Sequence, residues 1–131
     1  MRQTGDVMPR KNEEHPEREK RIEMEIVVDA YGPDERAMGW YCYLENTLRF
    51  PFTARCAGRR ATSPLHVKDK VEVIAMAHSD ECLGEMFVTI RWNEEDELAV
   101  PLAQLKVVKA DEPTREAVED WHYWVEQGYE F

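Results

Sequence analysis

Between Asp111 and Phe131 the chain carries seven acids (Asp111, Glu112, Glu116, Glu119, Asp120, Glu126 and Glu130) against one arginine, Arg115. Val118, Trp121, Trp124 and Val125 recur in the same stretch at helical spacing. The pattern predicts an amphipathic helix that docks by an aromatic face and presents carboxylates on the other. Glu112, Glu116 and Asp120 fall at i, i+4 and i+8, one above another on that helix. Like charges so placed repel by roughly 0.2–0.5 kcal/mol per pair, and a bound cation would reverse that cost. Carboxylate oxygens are hard donors, so the arrangement points to a hard cation, calcium before others.

Calcium takes roughly six to eight oxygen ligands, and one segment supplies them only in an EF-hand loop. No Asp-x-Asp-x-Asp-Gly pattern is present, and the acidic run Asn93 to Glu97 lacks the central glycine. A site must therefore be assembled from separate segments. Besides the terminal helix, acids cluster at Asp29, Asp34 and Glu35 around the Tyr31-Gly32-Pro33 bend, at Asp80, Glu81 and Glu85, and in the run from Asn93 to Glu97. Asp34 and Glu35 also suit the start of a helix as partners of its dipole. Glu112 and Glu116 could equally be screened by Arg115 or water. Asp29 follows Ile26-Val27-Val28 and precedes Ala30-Tyr31, and an acid in so apolar a neighbourhood needs a base, a cap or a metal. The expected arrangement sets Asp29 and the Asp34-Glu35 bend against the acids of the last helix.

The elements that must hold these groups are legible from periodicity. Residues 1–17 are polar and nearly free of large apolar side chains, which predicts a disordered tail, with a single acidic domain over 18–131. Residues 18–31 fit a strand through Ile22, Met24, Ile26 and Val28 and a helix through Ile22, Ile26 and Ala30. Helix is preferred, because a clear helix follows. That second helix opens at Gly32-Pro33-Asp34-Glu35, buries Ala37, Trp40, Tyr41, Leu44 and Leu48, and stops at Phe50-Pro51. Strands are expected at Phe52–Cys56, Val71–Met76, Met86–Trp92, Leu98–Val100 and Leu105–Val108. Asp111 is a natural N-cap and Gly128 a terminator for a helix over 112–127. The fold class is α+β: a small SH3-like five-stranded barrel or bent antiparallel sheet with two or three packed helices. The aromatic clusters Trp40, Tyr41, Tyr43 and Trp121, Tyr123, Trp124 predict that the second and last helices pack together.

Composition removes several functions. Net charge is -10. Residues 1–21 hold six bases against five acids, so the folded part carries the acidity. That excess disfavours nucleic acid and anionic membrane surfaces and favours cations or a basic protein partner. Cys42, Cys56 and Cys82 are odd in number and widely spaced, without a Cys-x-x-Cys pair for zinc. With no secretory leader and no spanning apolar run, the reading is a cytoplasmic monomer with reduced cysteines. No Gly-rich phosphate loop, nucleophile elbow or His-Glu-x-x-His motif is present. His122 lies between two tryptophans and has no defined acid partner, so an enzyme is not expected.

Several strings are distinctive together. They run Ile22 to Tyr31, Ala37 to Tyr41, Tyr43-Leu44-Glu45, Phe50-Pro51-Phe52, Glu85 to Val88, Ile90-Arg91-Trp92, Leu98 to Leu102 and Val118 to Trp124. Over residues 18–131 the chain resembles the cyanobacterial calcium-binding protein family, CcbP. The resemblance implies a small acidic cytoplasmic calcium buffer, in a family whose founding role touches calcium signalling during cell differentiation. On the matching segments it implies Asp29, Glu119 and Asp120 as ligands. The sequence reading is thus calcium binding, as buffer or sensor, with Asp29, Asp34, Glu35, Glu112, Glu116, Glu119 and Asp120 as candidate ligands. The alternative is an acidic interaction module on an SH3-like barrel that docks a basic partner without metal.

Overall fold

The computed structural model describes residues 15–28, 30–58, 64–91 and 94–129. Helix α1 (Pro16–Arg21) runs directly into a π-helical turn (Ile22–Ile26). Helical structure thus opens two residues ahead of the expected boundary at Arg18. The rest of the expected tail, residues 1–14, and the candidate ligand Asp29 lie outside the described residues. Ile22 and Ile26 are buried on the inner face of this segment, the helical alternative of the sequence reading.

Helix α2 (Pro33–Thr47) starts on Gly32 in an extended conformation, with Pro33 at the first position and Asp34 and Glu35 in the first turn. Proline loses nothing there, because the first amide of a helix has no partner within it. Ala37, Trp40, Leu44 and Leu48 are buried and Tyr41 only partly so. Gly39 lies where α2 crosses the π-turn. A Cβ on it would stand 2.3 Å from the carbonyl oxygen of Ile26, so only glycine permits the approach.

Strands β1 (Phe52–Cys56), β2 (Lys70–Met76), β3 (Phe87–Arg91), β4 (Glu97–Pro101) and β5 (Leu105–Lys109) form one antiparallel sheet in the order β4-β3-β2-β1-β5. Phe52, Ala54 and Cys56 alternate inward along β1, as do Val88 and Ile90 on β3. A register shift between Val73 and Ala75 breaks the alternation on β2 and lets Met76 turn inward. The expected barrel is not closed. β4 and β5 occupy the two ends of the strand order, joined by a single 3-10 turn (Leu102–Gln104), and they do not pair.

Helix α3 (Glu112–Glu126) is capped by Asp111, whose Oδ1 accepts the Thr114 amide at 2.9 Å. It ends in a Schellman motif. Gly128 sits at φ +82, its amide reaches the Val125 carbonyl, and the Tyr129 amide reaches that of Trp124. Tyr129 also packs its ring on Trp124 at 4.9 Å, the apolar contact that accompanies such ends. Trp40 of α2 meets Trp121 edge-on at 5.0 Å and Trp124 at 5.5 Å, so the two aromatic clusters do pack together. Among the described residues no helix is long and apolar enough to cross a membrane.

Candidate metal centre

Glu116, Glu119 and Asp120 on the acidic face of α3 are met by cations, and they belong to the chain. Asp120 is completely buried. Its Oδ1 accepts from Arg18 Nη1 at 2.5 Å and Arg21 Nη2 at 2.6 Å. Its Oδ2 accepts from Arg21 Nε at 3.1 Å and from the Tyr43 hydroxyl at 2.7 Å. One turn back, Glu116 Oε1 lies 3.2 Å from Arg18 Nη2 and 3.5 Å from Arg21 Nη2. Glu119 Oε1 is 3.5 Å from Arg18 Nη2. Arg18 and Arg21 stand one turn apart on α1 and its junction with the π-turn, which suits carboxylates one turn apart on a facing helix.

The electrostatics follow from this geometry. A buried carboxylate without partners would be costly, and two guanidiniums with a phenol satisfy both its oxygens. The hydrogen bond to Asp120 holds the Arg21 guanidinium firmly in its charged form, above its already high ordinary value. Burial, then the hydrogen bond to Asp120, pushes the Tyr43 phenol up, so it stays a donor. Two further ties fasten α1 to α3: Glu19 accepts from the Tyr123 hydroxyl and, at 2.8 Å, from that of Tyr129. An open cleft of about 490 Å³ borders the network, lined by His15, Pro16, Glu17, Arg18, Arg21 and Glu116.

The other candidate acids are placed differently. Glu112, in the first turn of α3, is exposed. Asp34 is exposed and has no hydrogen-bonding or ionic partner among the described residues. Glu35 accepts the Tyr31 amide at 2.7 Å, which caps the bend before α2. Among the described residues no three acidic, histidine or cysteine side chains converge to hold a metal. The expected meeting of the Asp34-Glu35 bend with the acids of the last helix is therefore not assembled there. Asp120, Glu116 and Glu119 do come together, around arginines. His122 Nε2 lies 2.6 Å from the Leu105 carbonyl oxygen. Burial lowers the pKa of its imidazole, against the opposing pull of that carbonyl.

The sequence reading missed Arg18, Arg21 and Tyr43 as partners of Asp120. A signal for the arginines existed: the acidic chain begins with a basic segment, and Arg18 and Arg21 share one helical face. Tyr43 gave none, since a tyrosine one position off an apolar stripe reads as packing.

A sequence model of a family described as calcium binding, of the CcbP type, matches residues 20–125. No curated protein matches. The crystal structure of Anabaena CcbP is 41% identical, with a TM-score of 0.81, over 91% of this chain and 97% of that one. A second solved structure, a calcium binding protein in the calcium-binding form, is 38% identical with a TM-score of 0.80. It aligns with 95% of this chain and all of its own.

Proposed function

Because this chain belongs to the CcbP calcium-binding family, we propose that it binds calcium ions through carboxylates gathered from separate segments. It would act as a buffer or sensor, as a cytoplasmic monomer. The observation that carries the reading is likeness along nearly its whole length to a protein solved in a calcium-binding form. The charge of -10 agrees with it.

The candidate acids divide by what already neutralises them. Asp120 and Glu116 do not fit a calcium site as they stand, because an ion there would have to displace two guanidiniums. Asp34 and Glu112 are exposed oxygen donors with no base against them among the described residues, and Glu35 adds an oxygen one residue from Asp34. We assign the cation to Asp34 and Glu35 at the start of α2, with Asp29 and backbone carbonyls of the bend as the remaining candidates; Glu112 lies at the start of α3, beside the far end of α2. Calcium tolerates such irregular, many-ligand shells, whereas magnesium demands near-octahedral geometry.

The test is calorimetric titration of the chelator-treated protein with calcium in excess magnesium. Saturable heat, with a melting temperature that rises with calcium, is expected, since a ligand of the native state stabilises it by mass action. Neither heat nor a thermal shift would overturn the reading.

A further inference from the structure

The surface around the crossing of the π-turn and α2 is apolar and open. Met24, Val28, Tyr31 and Met38 are all at least half exposed, and Tyr31 reaches 85%. They belong to one locality. Gly39 packs against the backbone of Ile26 and Val27, which brings Met38 beside that segment, and Val28 and Tyr31 follow it directly in the chain. Fraying does not explain the exposure. The Val27 amide donates to the Ile22 carbonyl at 2.9 Å, the Ala30 amide to that of Val27 at 3.1 Å, and the Tyr31 amide to Glu35. The backbone is tied on both sides of the bend, so the side chains are presented outward by ordered structure. Methionines adapt to varied apolar shapes, and an exposed tyrosine supplies large contact area at low entropic cost.

The charges around this patch decide what could cover it. Glu23, Glu25, Asp34 and Glu35 are exposed within the same stretch, and residues 22–38 hold five acids against one base, Arg36. A second copy would set this acidic rim against itself, in a chain already at -10. An anionic lipid surface would be repelled for the same reason. Apolar side chains ringed by carboxylates complement an amphipathic helix with lysines and arginines beside its apolar stripe. We propose that Met24, Val28, Tyr31 and Met38 form a docking surface for a basic amphipathic helical segment of a partner protein.

The probe is a short helical peptide of lysines with one leucine stripe, titrated into the isotope-labelled full chain and followed by amide shifts. Chelator is present throughout, so failure of the calcium reading leaves this result untouched. Shifts concentrated at residues 22–38 are expected. Tyr31→Ser with Met38→Ser should weaken binding at least tenfold at an unchanged melting temperature, both side chains being exposed. A peptide with serine in place of the leucines should lose binding to a similar degree. Equal binding of the serine peptide, an unaffected double variant, or shifts centred on residues 94–97 would each reduce the interaction to general charge attraction and overturn the proposal. Uptake by zwitterionic vesicles without peptide binding would overturn it in favour of lipid.

Discussion

Tyr43 and Asp120 meet across the α2–α3 interface, the phenol hydroxyl donating to Oδ2 at 2.7 Å although 77 residues separate them. Arg18 and Arg21 close on the same carboxylate from α1, so one buried anion joins all three helices.

This node sets a ranking of substitutions. Tyr43→Phe removes one hydrogen bond to a charged group and should cost about 1.5–2 kcal/mol. Asp120→Ala strips both arginines of their shared partner and should cost about 3 kcal/mol, the low end for a buried pair because the arginines can regain water. Urea unfolding of the two variants checks the order. An Asp120 variant no less stable than Tyr43→Phe would show that the carboxylate does not organise the interface.

Gly39→Ala should be as damaging as losing the node, although it adds one methyl group. Its Cβ would stand 2.3 Å from a backbone oxygen of Ile26, which no side-chain rotation relieves. Separating the π-turn from α2 should cost roughly 3 kcal/mol. A thermal melt within a degree of the parent would mean that the crossing is not tight.

His122 makes stability pH-dependent. Its folded pKa is depressed by burial, so between that value and the unfolded value of 6.5 the unfolded chain binds more protons than the native one. The native state therefore holds its full advantage above pH 6.5 and loses it as the pH falls through the folded value. The facing groups are the Leu105 carbonyl and Lys106 of β5 and Glu119 and Glu126 of its own helix. Urea midpoints followed from neutral to mildly acidic pH should decline, and His122→Gln should flatten that part of the profile. An identical decline in the variant would assign it to carboxylates.

Calcium affinity should separate the two groups of acids. Asp34→Asn with Glu35→Gln should weaken binding at least tenfold, about 1.4 kcal/mol. Glu116→Gln, whose charge is already met by two arginines, should change it less than about threefold. Calorimetry showing the reverse order would move the ion onto α3 and require α1 to release it.

The secondary structure was legible where periodicity and punctuation agreed. Pro33 and Gly128 mark helix ends by backbone chemistry alone, and the inward alternation of Phe52, Ala54 and Cys56 defines β1. Closure of the sheet was not legible, because it depends on strand curvature. The candidate site was legible as an inventory of acids and not as an assembly. Stacked carboxylates signal an unmet need for positive charge, and sequence cannot say whether a metal or an arginine about 100 residues away supplies it.

The pairing of α1 with α3 also has a consequence in time. Arg18 and Asp120 lie 102 positions apart, and Glu19 and Tyr129 lie 110 apart. During synthesis α1 leaves the ribosome well before the carboxylates that hold it are made. A six-residue helix is too short to persist alone in water. The sheet can form while translation continues, but α1 cannot settle until α3 has been made.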